Sequence, residues 1–223
     1  MIRMASKMNI NSTLPLPKSS IQIPRLGFGV YQSPANVCER SCLTALEAGY
    51  RHIDSAQYYA NEREVGQAVK KSGIKRSEIF ITTKILAAGG SVDASYKKCV
   101  DSVNKIDPDG YVDLFLIHSP NAGSKARKEM WSALLKLYDE GKAKAIGVSN
   151  FGINHIKELE GMGSVWPPHV NQVEVSSSLA VPTAISDICI AAPVVPTTRL
   201  CQILSRAGHR RRGVLSAGQK LQS

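Results

Sequence analysis

The sequence predicts an α/β protein of the (β/α)8, or TIM-barrel, type, with about six βα units recognisable and the barrel therefore incomplete. Short, nearly continuous apolar segments alternate with helical patterns over residues 20–174, as expected for a parallel sheet covered on both faces. No strand-to-helix turn carries the GxGxxG sequence typical of a doubly wound nucleotide-binding sheet. Six βα steps without that turn favour a barrel, although no spacing rule decides this alone.

Six strands are predicted from their apolar, β-branched and aromatic composition and from the turn residues between them. In chain order they are IQIPRLGFGVY (21–31), RHIDSA (51–56), EIFITTKI (78–85), YVDLFLIH (111–118), AKAIGVSN (143–150) and PHVNQVEV (168–175).

Helix start and stop signals lie between these strands. Ser33 is placed to cap a first helix with Pro34 at its first position, and Gly49 is a stop signal. Asn61 and Glu64 have the spacing of a capping box for the second helix. The predicted helices cover 33–49, 61–72, 92–105, 125–139 and 153–161.

Length and charge predict one folded domain with a basic tail. At 223 residues the chain can bury one sizeable core. We expect an N-terminal tail over 1–19, the barrel domain over 20–174 and a divergent tail over 175–223. The last segment holds six basic side chains and one acid, and without it the net charge of +10 falls to +5. Because Arg210–Arg212 lack interleaved aromatic residues, no nucleic-acid partner is expected.

Cysteine usage predicts a cytoplasmic location. The five cysteines form no CxxC pair and are odd in number, which favours a reducing compartment. Cys38 and Cys42, one helical turn apart, fit the inner face of a helix better than a metal site. No segment approaches the roughly 18 apolar residues of a membrane span, and the first 20 residues lack a secretory signal. They are interpreted as a tail leading into a hairpin, with a basic transit peptide as the alternative.

Five of the predicted strands end in polar or ionisable residues: Asp54, Lys84, His118, the pair Ser149–Asn150, and Gln172. In a (β/α) barrel these strand ends form one rim, where the chemistry takes place. Each has a structural alternative: a lone Lys or His can be a solvated rim residue, the Ser-Asn pair can cap the next helix, and the Gln can satisfy backbone groups. Their convergence on one rim nevertheless predicts a functional site.

The chemistry of these residues suits proton delivery to a carbonyl oxygen. Asp54 and Lys84 lie on neighbouring strands and can pair. An ammonium close to a phenol lowers the phenol's pKa, which makes a tyrosine usable as a general acid near neutral pH. His118 can orient the substrate oxygen. Because no residue is an evident nucleophile, a hydride-donating cofactor is implied.

Two long segments and three short ones carry a resemblance to a known family. GYRHIDSAQYYANEREVG (49–66) and KAIGVSNF (144–151) match the first two sequence motifs of the aldo-keto reductases. The segments ITTK, DLFLIH and VNQVE follow in that family's order and approximate spacing. The chain thus resembles an aldo-keto reductase over roughly residues 20–174.

The resemblance implies an enzyme that transfers a hydride from NADPH to an aldehyde or ketone. By position, it assigns Tyr59 as the general acid and Asp54, Lys84 and His118 as the other members of a catalytic tetrad. Tyr58 matches no catalytic position and is expected to pack. The resemblance further implies that three residues hold the nicotinamide carboxamide of NADP(H): Ser149, Asn150 and Gln172. A small carbonyl compound is the implied substrate, and no metal is implied.

The resemblance stops after Glu174. The family's last two strands and its third motif, a Lys-Ser pair followed by an Arg that binds the 2′-phosphate of NADPH, are not visible in the sequence that follows. Within it, AISDICIAAPVV (184–195) is the only segment apolar enough to pair as a strand, and Pro193 restricts it to an edge. Residues after about 200 are expected to be disordered, and open barrel edges predict self-association. The alternative function is that of a non-catalytic member of the fold, which binds the cofactor or a partner protein without turnover.

Overall fold

The computed structural model describes residues 9–107, 110–174 and 188–191, which form nine strands, five α-helices and three short 3-10 turns. The strands are β1 Thr13–Pro15, β2 Gln22–Pro24, β3 Phe28–Gly29, β4 His52–Asp54, β5 Phe80–Ile85, β6 Val112–Ile117, β7 Ala143–Ser149, β8 Val170–Glu174 and β9 Ile188–Ala191. The helices are α1 Ala35–Glu47, α2 Glu62–Lys71, α3 Val92–Ile106, α4 Gly123–Asp139 and α5 Ile153–Lys157. The 3-10 turns are Gln57–Tyr59, Arg76–Glu78 and Pro120–Ala122.

The main sheet confirms the predicted incomplete barrel. Strands β3 to β8 are parallel and lie side by side in chain order, each joined to the next through the helical layer. β9 adds to β8 in antiparallel orientation, and it lies within the apolar segment 184–195 that the sequence indicated as able to pair. The six parallel strands form a half-barrel with β3 at one edge of the described sheet.

The first predicted strand is two strands in the structure. Residues 22–24 form β2, which pairs antiparallel with β1 in a separate hairpin, and only Phe28–Gly29 joins the barrel as β3. Pro24 lacks a backbone donor for a sheet ladder. Gly27 packs closely against His52, since a Cβ added at position 27 would lie only 2.8 Å from the His52 Nδ1 and a larger residue would have to displace the histidine ring. The segment therefore bends between the two short strands.

Two predicted helix caps are wrong. α1 begins one residue later than expected, with Pro34 at the N-cap position and no side-chain cap. Asn61 precedes α2 but makes no capping bond. Its amide instead donates to the carbonyl oxygens of Val30 and Ser33, and its Oδ1 accepts from Ser55. A local capping signal is thus used for a contact between distant loops. α5, at five residues, is also shorter than the predicted 153–161.

Successive side chains of the barrel strands point to opposite faces of the sheet, and this divides most of the core into two layers. Outward residues pack against the helices in the larger layer, around the fully buried Trp131 of α4. Replacing such a tryptophan by alanine typically costs about 3–5 kcal/mol. Inward residues form a smaller cluster that the N-terminal hairpin covers through Leu16 and Ile23. The inward positions include four of the polar residues predicted to form the site, namely Asp54, Lys84, Ser149 and Gln172, while His118 and Asn150 directly follow β6 and β7.

The described cysteines agree with their interpretation as core residues. Cys38 and Cys42 are buried in α1 beside Ala45 and Leu46, and Cys99 is buried in α3; all three are free thiols. No cluster of three His, Cys, Asp or Glu side chains arranged for a metal occurs within the described ranges. Over the same ranges, no helix is long and apolar enough to cross a membrane.

Candidate active site

The Lys84 ammonium lies at the centre of a polar cluster at the strand ends, whose other members are Asp54, Tyr59, His118 and Gln172. Lys84 occupies an inward position near the end of β5, and its side chain is 2% exposed. Nζ donates to Asp54 Oδ1 at 2.5 Å, to the Ser55 carbonyl oxygen at 3.1 Å and to the Tyr59 hydroxyl at 3.4 Å. These three acceptors match the three N–H bonds of an ammonium. Burial without such partners would be costly for this charge.

Asp54 ends β4 and is similarly buried, with a side chain 5% exposed. Its two carboxylate oxygens have different partners: Oδ1 accepts from Lys84, and Oδ2 accepts from the Gln172 side-chain amide at 3.0 Å. The predicted pairing of Asp54 with Lys84 is therefore present in the structure. The contact with Gln172, which is 118 residues away in the chain, was not foreseen.

Tyr59 is held over this ion pair by the 3-10 turn Gln57–Tyr59. Its ring centroid lies 5.1 Å from Lys84 Nζ, and the side chain is half-buried. Gln57 fixes the turn, because its Nε2 donates to Ser102 Oγ and to the Lys98 carbonyl oxygen while its Oε1 accepts from the backbone of Leu86. The turn thus presents one tyrosine hydroxyl to the ammonium.

His118 follows β6 and contacts both tyrosines edge-on, with ring centroids 5.6 Å from Tyr59 and 6.1 Å from Tyr58. Its Nδ1 is buried and has no hydrogen-bond partner among the described residues. Burial, together with the nearby Lys84 charge, lowers the pKa of His118 below its usual value. The imidazole is therefore neutral at pH 7, and one of its ring nitrogens can donate to an oxygen.

Tyr58 does not pack as expected. Its side chain is among the more exposed large apolar groups, at 58%, and it lies at the rim beside His118. The neighbouring position differs: Tyr59 contacts the buried ion pair. The structure therefore separates the two adjacent tyrosines by exposure and by contacts, and only Tyr59 contacts Lys84.

Ser149, Asn150 and Gln172 lie together at the ends of β7 and β8. Ser149 is in register with Gln172, and the Asn150 backbone N–H donates to the Gln172 carbonyl oxygen at 2.8 Å. Asn150 has φ of 59°, a left-handed conformation that asparagine tolerates better than most residues. Its side-chain amide donates to Ser149 Oγ. Because Gly152 is the residue that caps α5, the helix-cap alternative for the Ser-Asn pair is wrong.

Sequence reasoning missed three residues that support the site. Gln57 anchors the turn of Tyr59, Asn61 joins the loops after β3 and β4, and Tyr31 places its ring centroid 5.1 Å from that of Tyr59. Tyr31 directly follows the apolar FGV segment that contains β3, so its position after a strand could have indicated a rim residue. The contacts of Gln57 and Asn61 join loops far apart in sequence and leave no local signal.

A cavity of about 560 Å³ lies elsewhere, on the outer helical layer between α2 and α3. Two of its four basic lining residues are paired with acids, Arg76 with Asp107 and Asp113 and Lys105 with Asp101. It contains no group of the polar cluster. The barrel rim, where the ionisable residues converge, is therefore the better candidate for chemistry.

Similarity to known proteins extends over most of the chain. Residues 27–198 match the model of the aldo/keto reductase family. The chain belongs to this family. Among curated relatives, it is 40% identical over 172 residues to the 9,11-endoperoxide prostaglandin H2 reductase of Trypanosoma cruzi, covering 75% of this chain and 58% of that protein. An aldo-keto reductase of Mycolicibacterium smegmatis is 42% identical over 154 residues, covering 69% and 55% respectively.

Solved aldo-keto reductases share the fold. The enzyme from Brucella melitensis superimposes with a TM-score of 0.69 at 40% identity, over 74% of this chain and 63% of that structure. A Bombyx mori aldo-keto reductase solved in complex with NADP gives 0.66 at 31% identity, over 74% and 58%. The chain thus spans somewhat more than half the length of these relatives. The family match also continues past Glu174, where the sequence motifs cease to be recognisable, to residue 198.

Proposed function

We propose that this aldo-keto reductase is an oxidoreductase that transfers a hydride from NADPH to the carbonyl carbon of an aldehyde or ketone, with Tyr59 as the general acid. The observation that carries the proposal is the Lys84 ammonium, which is buried, paired with Asp54 and in contact with the Tyr59 hydroxyl. The membership of the family supports the reaction class.

The residues at the rim fit a nicotinamide. A carboxamide offers one acceptor and two donors, and the ends of β7 and β8 present a buried hydroxyl, Ser149, and two amide side chains, Asn150 and Gln172. The NADP found in the Bombyx mori relative supports the choice of cofactor. When bound, the nicotinamide supplies the hydride; the protein's part is to hold the ring and to protonate the substrate.

The tetrad geometry explains how a tyrosine protonates the substrate. As the carbonyl oxygen gains negative charge, Tyr59 donates its hydroxyl proton to that oxygen. The resulting phenolate faces the Lys84 ammonium, which stabilises it, and Asp54 holds the ammonium in place. Neutral His118, edge-on to Tyr59, donates a hydrogen bond that orients the same oxygen. Each group therefore favours the charge distribution of the transition state.

The remaining proposals follow from this chemistry. The substrate is a small carbonyl compound that reaches the rim between Tyr31 and Tyr58, both of which are more than half exposed. A cytoplasmic location, the absence of a nucleic-acid partner and self-association through the edge of β3 stay predictions. So does the division into residues 1–19, 20–174 and 175–223.

The proposed function is tested by replacing Tyr59 with phenylalanine. We expect carbonyl-dependent oxidation of NADPH by the unmodified chain and a fall in its rate of about 10²-fold or more in Tyr59→Phe, the usual scale for a general acid. The affinity for NADPH, measured by the quenching of protein fluorescence on binding, should stay within about twofold of that of the unmodified chain. Tyr58→Phe is the matched control and should retain its rate. Equal activity of both variants would contradict the assignment, and NADPH binding without turnover would favour the non-catalytic alternative.

A further inference from the structure

A single hydrogen bond crosses the mouth of the half-barrel between β8 and β4. The Gln172 Nε2 donates to Asp54 Oδ2 at 3.0 Å, although three strands, β5 to β7, lie between β4 and β8 in the sheet order. The bond therefore starts from one of the three residues predicted to hold the nicotinamide carboxamide, called here the nicotinamide seat (Ser149, Asn150 and Gln172), and ends on the carboxylate that pairs with Lys84. It is the one connection across the mouth among the described side chains of the polar cluster.

The chemistry of the two groups fixes which end of the amide faces Asp54. An ionised carboxylate only accepts hydrogen bonds, so the NH2 of Gln172 must face it and the Oε1 must point elsewhere. With Lys84 on Oδ1 and Gln172 on Oδ2, each oxygen of the buried carboxylate has one donor. Hydrogen bonds to a charged group are stronger than those between neutral groups, so this bond helps to fix the carboxylate.

The Oε1 of Gln172 accepts no hydrogen bond from any described residue. The backbone of Gln172 is tied to the other two seat residues, because its carbonyl oxygen accepts from Asn150 and its position pairs with Ser149. The side chain thus has its donor end bonded to Asp54 and an acceptor oxygen that no described residue uses.

We propose that Gln172 is a positioning residue that couples cofactor binding to the orientation of the Asp54–Lys84 pair beside Tyr59. Its Oε1 accepts a hydrogen bond from the NH2 of the nicotinamide carboxamide, while its Nε2 keeps Asp54 oriented towards Lys84. The bound cofactor restrains the Gln172 side-chain amide, and the amide in turn restrains the Asp54 carboxylate. The ion pair behind Tyr59 is therefore most ordered when the hydride donor is bound. This inference rests on the proposed function for the identity of the cofactor.

Two substitutions separate the two ends of the amide. Gln172→Glu keeps an acceptor oxygen of similar shape but replaces the donor by a charge that repels Asp54. Gln172→Met removes both donor and acceptor. Each is combined with Asp54→Asn, and Gln67→Met on the exposed face of α2 serves as the matched Gln-to-Met control. Single-turnover NADPH oxidation and NADP+ affinity are measured for each variant.

We expect Gln172→Met to slow the single-turnover rate about 10-fold or more, the loss of one charge-assisted hydrogen bond. In the Asp54→Asn background the same substitution should change the rate less than about twofold, because the group through which it acts is gone. Its effect on NADP+ affinity should persist in that background. An equal fold-change of the rate in both backgrounds would overturn the proposal.

An NMR measurement tests the same bond without turnover. The side-chain NH2 signals of Gln172, assigned by their loss in Gln172→Met, should move in Asp54→Asn and again when NADP+ is added to the unmodified chain. Signals that do not move in Asp54→Asn would show that the bond is not formed. If the chain does not oxidise NADPH at all, the proposed function fails, and this measurement still decides whether Gln172 and Asp54 are coupled.

Discussion

Replacing Lys84 by methionine tests the buried ion pair that the site depends on. Methionine nearly matches the length of lysine but removes the ammonium and all three of its hydrogen bonds. The Asp54 side chain is 5% exposed, and among the described residues the neutral amide of Gln172 would then be its only side-chain donor, on Oδ2. The variant therefore leaves a buried carboxylate without a charged partner.

The size of the effect follows from the distance and the burial. At 2.5 Å and an effective dielectric constant of about 20, the attraction between the charges is about 7 kcal/mol. Desolvation of the two ions offsets part of it, and breaking a buried pair from one side typically costs about 3–5 kcal/mol. We expect a loss of that order in the free energy of unfolding, a large share of the roughly 5–15 kcal/mol that stabilises a domain.

Urea unfolding followed by the fluorescence of Trp131 and Trp166 measures this loss. The matched control is Lys71→Met, because the Lys71 ammonium also lies 2.6 Å from a carboxylate, that of Glu39, but its side chain is 60% exposed; its cost should stay below about 1 kcal/mol. Adding Asp54→Asn to Lys84→Met removes the unpaired buried charge and should restore about 2 kcal/mol of the free energy of unfolding. Equal losses for the two lysines, or no recovery in the double variant, would show that burial of the Asp54–Lys84 pair does not set its contribution to stability.

Four further predictions concern stability, the cofactor and the sheet edges. Burial lowers the pKa of His52 from 6.5 to about 4. As the pH falls, His52 is therefore protonated in the unfolded chain before it is protonated in the folded chain, and the free energy of unfolding should fall by up to about 3 kcal/mol between pH 6.5 and 4. Urea titrations of His52→Gln should not show this loss. Gly147→Ala should cost about 1–3 kcal/mol, since its Cβ would lie 2.4 Å from the Val170 carbonyl oxygen, whereas Gly152→Ala, with 3.8 Å to its nearest neighbour, should cost less than about 1 kcal/mol. Fluorescence titration should show less than about tenfold preference for NADPH over NADH, because no 2′-phosphate motif is recognisable; a strong preference would indicate that the tail, through Arg210–Arg212, replaces it. Hydrogen exchange should be slowest in β5–β7 and faster in β3 and β9, with self-association visible by sedimentation; a monodisperse monomer with strong protection at both edges would show a closed sheet.

The sequence predicted the parallel strands and their polar ends because both signals are local. A short apolar run identifies a strand, and the alternation of side chains places Asp54, Lys84 and Gln172 on the same inward side. Shared position at one rim then follows from the barrel geometry. The Asp54–Lys84 pair was predictable for this reason, since it needs only neighbouring strands and opposite charges.

What the sequence could not predict depends on contacts between distant segments. Asn61 has the local pattern of a helix cap, yet its amide is used to join two loops. The break between β2 and β3 depends on the contact of Gly27 with His52. The bond from Gln172 to Asp54 crosses the barrel mouth, and no spacing in the sequence indicates it. Tyr58 and Tyr59 are adjacent and identical in type, so their different exposure comes from the turn that carries them.

The proposed reaction is tested most directly by following the hydride itself. NADPH deuterated at the transferring position of the nicotinamide ring is incubated with the chain and a panel of small aldehydes and ketones, and the alcohols are analysed by mass spectrometry. We expect one deuterium on the former carbonyl carbon per NADPH oxidised, with the hydroxyl proton taken from Tyr59 and hence exchangeable with solvent. Cofactor binding with no deuterated alcohol from any carbonyl, or transfer that is undiminished in Tyr59→Phe, would contradict it.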